Sequence, residues 1–278
     1  MTEHHNGTFT GERAMYQAKD MFFRDCIFED GESPLKHSEN ITLVSTSFRW
    51  KYPLWYSKHI DVSNSDFEPM ARAGIWYTDN ISLKDCRYDA PKGFRRCRGV
   101  DIKNVVFSDA AETLWQCSNV KLEKVSAKGD YFAMNCNDMI IDGLDLDGNY
   151  SFDGAKNVHV TNSKLMSKDA FWNSENITVE NTYISGEYIG WNSKKLTFIN
   201  CIIESLQGFC YIEDLVLKNC KLAGTSLAFE YSSVDAELSG PVDSIKNPLS
   251  GRIVCDEIGE LILDPSQVDV TATKILSK

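Results

Sequence analysis

Carboxylates, cations and tyrosines recur together at a near-constant interval: Glu32, Lys51-Tyr52, Arg72, Lys92, Glu112, Asp130-Tyr131, Asn149-Tyr150, Lys168-Asp169 and Glu187-Tyr188. A tyrosine ring offers a flat apolar face with a polar tip, which suits a sugar whose ring has apolar faces and a hydroxyl rim. Glu112, Asp130, Asp169 and Glu187 are the candidate catalytic acids or hydrogen-bond acceptors of such a line. Tyr52, Tyr131, Tyr150 and Tyr188 are its candidate stacking surfaces, and Arg72 and Lys92 would extend it toward an anionic group. Acids one repeat apart would lie about 5 Å from each other, and two repeats apart about 10 Å. Those separations bracket the geometries of retaining and inverting glycosidases. No single acid pair stands out, and the same residues also fit a solvated loop face whose tyrosines shield a corner.

The interval belongs to the whole chain. Apolar residues recur at Met21, Ile41, Ile60, Ile81, Val100, Val120, Met139, Val158, Ile177, Leu196, Leu215 and Val234, mostly 19 residues apart. Counting each as position zero, position plus two is also apolar throughout, from Phe23 to Ala236, which is the strand period. Position plus four is usually Asn or Asp, as at Asp25, Asn64, Asp85, Asn181 and Asn200, residues that tolerate the left-handed backbone of a sharp bend. Position plus seven resumes the apolar face at Phe28, Phe48, Phe67, Tyr88 and Phe107. One such coil cannot bury its own inner face, but stacked coils can. The pattern predicts an all-β, right-handed parallel β-helix of about twelve coils, the hand following the general rule for parallel crossovers. Residues 1–11 are expected to be a polar tail, 12–240 the helix, and 241–278 an irregular last coil and cap.

Rows of Asn at the bends predict amide-to-amide stacking. Cys97, Cys117 and Cys136 share one inward slot, three before position zero; Cys26, Cys86, Cys201 and Cys220 share another, five after it, and all are read as small packing groups. Nine cysteines without a CxxC suit a reduced, cytoplasmic protein better than a disulfide framework. The N-terminus lacks the pattern of a secretory signal, which points the same way. The five histidines show no zinc-type spacing, so neither a metal nor a cofactor is expected. Trp55, Trp76, Trp115, Trp172 and Trp191 all stand five residues before position zero. They are read either as core or corner packing, or as an exposed platform for sugar.

A formal net charge of −11 repels phosphate backbones and anionic lipid, so nucleic acid and membrane are not expected partners. The expected partner is an oligo- or polysaccharide. The competing reading is a non-catalytic scaffold that pairs with a protein or with itself.

Several strings carry a resemblance: Gly11-Glu12-Arg13-Ala14, Gly31-Glu32-Ser33-Pro34-Leu35-Lys36, Lys51-Tyr52-Pro53-Leu54-Trp55-Tyr56, Ala90-Pro91-Lys92-Gly93-Phe94-Arg95-Arg96 and Lys168-Asp169-Ala170-Phe171-Trp172. They resemble a bacterial family of unknown function with a pectin-lyase-like right-handed parallel β-helix. The resemblance implies the fold and brings no activity of its own. By analogy within that superfamily it implies sugar chemistry, as a glycoside hydrolase or a polysaccharide lyase. The calcium-binding carboxylate cluster and paired-Asp signatures of pectate lyases and polygalacturonases have no counterpart here.

Overall fold

Alternation of apolar and polar residues, broken every few positions by a bend, makes short strands that return above themselves. The computed structural model describes residues 2–278 and contains strands, turns and bends but no helix among them. It is a parallel β-solenoid of about fifteen turns with close to 19 residues per turn. The chain divides into two units, Met1–Asp145 and Leu146–Lys278.

In Met1–Asp145 the position-zero strands include Thr2–His5, Lys19–Arg24, Glu39–Val44, Lys58–Ser63, Asp79–Lys84, Arg98–Lys103 and Ser118–Lys128. Each pairs in parallel with the next, zero against zero, as in Ile41↔Ile60 and Ile81↔Val100. Zero and plus-two side chains from Phe23 to Leu122 are buried, with Met21 half-exposed. The plus-seven rings form an inner column, Phe28 on Phe48 at 5.0 Å, Phe48 on Phe67 at 4.8 Å and Phe67 on Tyr88 at 4.5 Å between centroids.

In Leu146–Lys278 the corresponding strands are Lys156–Thr161, Glu175–Glu180, Lys194–Ile199, Leu215–Ala223, Ser233–Leu238, Ser250–Cys255 and Thr273–Ser277. Here the plus-seven positions are aliphatic (Leu165, Ile184, Ile203, Leu222). Buried rings stand instead six residues before position zero, at Phe152, Phe171 and Phe209, with Phe198 and Phe229 in other inward slots.

The turn count exceeds the twelve expected. The segment expected to be a loose tail forms strands Thr2–His5 and Thr8–Phe9, which pair with the next turn as Thr2↔Met21 and Thr8↔Ile27. Two further turns follow Val234, paired as Val234↔Gly251 and Gly251↔Thr273. Their spacings of 17 and 22 residues break the period while the ladder continues.

The bends are sharp because the backbone turns left-handed at non-glycine residues. Asp25, Asn64, Asp85, Asn104, Asn181 and Asn200 all have φ between 49° and 54°. Along one bend Asn200 Nδ2 donates to Asn181 Oδ1 at 3.3 Å, and Asn219 Nδ2 to Asn200 Oδ1 at 2.8 Å. All nine cysteines are free and buried.

Candidate functional site

The candidate line is a row of left-handed residues, eight positions before each zero. Tyr52, Lys92, Glu112, Tyr131, Tyr150, Asp169 and Tyr188 have φ of 61°, 59°, 53°, 60°, 58°, 56° and 50°. Amides along the row donate to a carbonyl of the following turn, as Glu112 N to Asp130 O at 2.9 Å, Asp169 N to Glu187 O at 2.8 Å and Tyr188 N to Leu206 O at 3.1 Å. Arg72, Asp130 and Glu187 stand one position earlier, before the left-handed Ala73, Tyr131 and Tyr188.

The tryptophans lock this row. Trp76 Nε1 donates to Lys92 O at 3.0 Å, Trp115 Nε1 to Tyr131 O at 2.7 Å and Trp172 Nε1 to Tyr188 O at 2.8 Å, while Trp55 Nε1 reaches Ala73 O. Each indole therefore clamps the bend of the turn ahead of it. The tyrosines lean edge-on against the same indoles, Tyr131 on Trp115, Tyr150 on Trp172 and Tyr188 on Trp191, at interplanar angles of 83°, 87° and 84°.

The five tryptophans of this row, Trp55, Trp76, Trp115, Trp172 and Trp191, are half-buried, at corners. The position just before them supplies the core side chain instead (Leu54, Ile75, Leu114, Phe171). In Met1–Asp145 their faces are covered: Trp55 stacks on Trp76 at 5.0 Å and 6°, and the Arg95 guanidinium lies 4.5 Å from Trp76 and 4.6 Å from Trp115. Rings stacked along the solenoid show their edges to solvent, so this column offers a sugar no open face.

The acids differ in their surroundings. In Met1–Asp145, Glu112 is held by Lys92 Nζ and by the Arg95 guanidinium, both at 3.2 Å. Lys92 is thus engaged with a carboxylate. Arg72, Asp130 and Tyr131 are exposed. In Leu146–Lys278, Glu187 accepts from Lys168 Nζ at 3.0 Å, which raises the lysine pKa. Asp169 is partly buried, and that burial, reinforced by the nearby Glu187 charge and opposed by Lys168, raises its pKa. Tyr150 and Tyr188 are half-exposed.

Glu187 opens onto a groove of about 380 Å³ lined by Lys168, Ser185, Gly186, Glu187, Glu204 and Leu206, with Ser205, Ala223 and Gly224 completing it. Strands Tyr183–Glu187 and Ile202–Leu206 pair in register, Ser185↔Glu204 and Glu187↔Leu206. Their outward residues form a sheet face on which Leu206 is 53% and Ile202 48% exposed. Gly186 is required at this spot, because a Cβ there would lie 2.0 Å from Ser167 O. Tyr183 Oη donates to Glu204 Oε2 at 2.7 Å, which raises the tyrosine pKa.

Glu204, Tyr183 and Leu206 were not among the expected site residues. Extending the period of two beyond the plus-seven residues Ile184 and Ile203 places Glu187, Glu204 and Leu206 on the outer face. The signal was therefore present in the strand rather than in the loop. Among the described residues no cluster of three or more His, Cys, Asp or Glu side chains is placed to hold a metal ion.

A family model described as "Protein of unknown function (DUF3737)" matches residues 2–276. No curated protein matches the chain. Among solved structures, a double mutant of the tailspike protein of E. coli bacteriophage HK620 is similar at a TM-score of 0.51. Identity is 10%, and the match covers 98% of this chain and 72% of that one. The tailspike protein of the same phage in complex with a pentasaccharide matches at 0.41, with 10% identity and coverage of 91% and 70%. PfbA, a surface adhesin of Streptococcus pneumoniae, matches at 0.30, with 10% identity and coverage of 95% and 74%. At such identities the first likeness shows a shared β-helix fold.

Proposed function

The chain belongs to the DUF3737 family, and we propose that it binds an oligosaccharide on the outer face of the unit Leu146–Lys278. The observation that carries this reading is the open groove in which Glu187, Glu204, Ser185 and Lys168 surround the exposed Leu206. Carboxylate and hydroxyl groups hydrogen-bond to a hydroxyl rim, and an aliphatic side chain covers the apolar face of a ring. Tyr188, next in the chain to Glu187, is half-exposed and leans on Trp191. If the site also cleaves its ligand, Asp169 and Glu187 are the candidate acids, the Asp169 pKa being raised by burial and then by the Glu187 charge.

A glycan array probed with the labelled chain tests this reading. Binding to at least one glycan, lost in Leu206→Asp, is the expected result. Failure to bind any glycan contradicts it. The second reading, a protein-docking solenoid, draws on the same exposed Ile202 and Leu206. It gains if the array stays blank.

A further inference from the structure

The charges around the groove say which sugars it admits. Its ionisable lining residues are Lys168, Glu187 and Glu204. Lys168 is committed to Glu187 through the 3.0 Å ion pair, which leaves little cationic character for a ligand. Glu204 has a neutral partner, the Tyr183 phenol at 2.7 Å, so its negative charge is not offset by that contact. Asp169 adds a third acid close enough to Glu187 for the two to repel. The apolar part of the groove is Leu206, more than half exposed, with Ala223 in register with Glu204.

We infer that this groove selects neutral oligosaccharides and rejects uronic acid chains. The inference rests on the carbohydrate-binding reading and adds the ligand class to it. A neutral pyranose donates its hydroxyls to Glu204 and Glu187, which ionised carboxylates accept well, while its C–H face lies on Leu206. A uronate would bring a carboxylate beside Glu204, where the one cation of the groove lining, Lys168, is already paired with Glu187. Like charges at such separations repel. Tyr183 acts as a positioning residue, since its hydroxyl fixes the carboxylate of Glu204.

The test is calorimetric titration of the intact chain with maltohexaose, cellohexaose and N-acetylchitohexaose, beside hexagalacturonate. Whichever neutral sugar binds is also titrated after oxidation of its C6 hydroxyls to carboxylates, a change in charge with the backbone kept. The expected result is that one neutral sugar binds and that oxidation weakens it about tenfold or more at low salt, the gap narrowing as salt is added. Glu204→Gln is expected to shrink that gap, and Leu206→Ser to weaken the neutral sugar without changing the gap. Equal or tighter binding of the oxidised sugar or of hexagalacturonate overturns the inference and leaves the carbohydrate reading standing. Absence of binding by all four sugars, together with a blank glycan array, overturns both.

Discussion

The indole Nε1 of Trp172 donates a 2.8 Å hydrogen bond to the carbonyl oxygen of Tyr188, sixteen residues later and one turn ahead. Trp76 and Lys92, and Trp115 and Tyr131, repeat that relationship. A tryptophan at the corner of one turn thereby holds the left-handed residue that shapes the loop of the next.

Removing the indole donor should loosen this loop more than the fold. Trp172→Phe keeps the half-buried ring and loses the bond to Tyr188, at an expected cost of about 1 kcal/mol. Urea denaturation measures the cost. An unchanged midpoint would mean that water replaces the indole without loss.

At Asn200 the backbone matters as much as the amide. The side chain is exposed and bonded to Asn181 and Asn219, and φ is 52°. Asn200→Leu is expected to cost about 1–2 kcal/mol, mainly from placing a branched side chain in the left-handed region. Asn200→Gly should cost less, because glycine accepts that φ. Thermal melts of the two variants decide this, and equal losses would assign the effect to the amide instead.

Much of this was legible in the sequence, for reasons that particular residues make plain. Ile41, Ile60 and Ile81 reveal the period because position zero of the regular turns is buried and apolar, and it is those residues that stack in register. The first turn was hidden because Thr2 and His4 occupy its zero and plus-two positions. The last turns were hidden because loops of altered length shift the spacing while the pairing persists. The loop residues were found, but their partners were not: nothing in the spacing of Glu112 shows that Lys92 and Arg95 both turn toward it. The loop spacing does not mark Glu204, because it stands on the outside of a strand.

Asp169 gives a pH-dependent signature. Its folded-state pKa is raised, first by burial and then by Glu187. The folded state therefore holds that proton more tightly than the unfolded chain does. Stability from this group is greatest below the ordinary carboxylate range and falls as pH rises through it toward the raised value. Asp169→Asn should accordingly be more stable than the natural chain at neutral pH, with the advantage vanishing near pH ~3. Denaturation curves across that range check the sign, and an advantage that grows on acidification would refute the assignment.

Cysteine reactivity reports on the interior. Burial pushes the Cys97 and Cys117 thiols well above their ordinary range. With Cys136 they are buried and free. A thiol reagent should leave all three unmodified in the native protein and label them in denaturant, as mass spectrometry of the peptides would show. Rapid native labelling of Cys117 would contradict the inward slot.

The most direct measurement of the central claim is hydrogen exchange of the backbone amides with and without a saturating oligosaccharide identified on the array. Slowed exchange confined to residues 164–206, centred on Tyr183–Glu187 and Ile202–Leu206, is the expected result. Slowing elsewhere, for example across residues 39–84, with the groove residues unchanged, would contradict the assignment of the binding face.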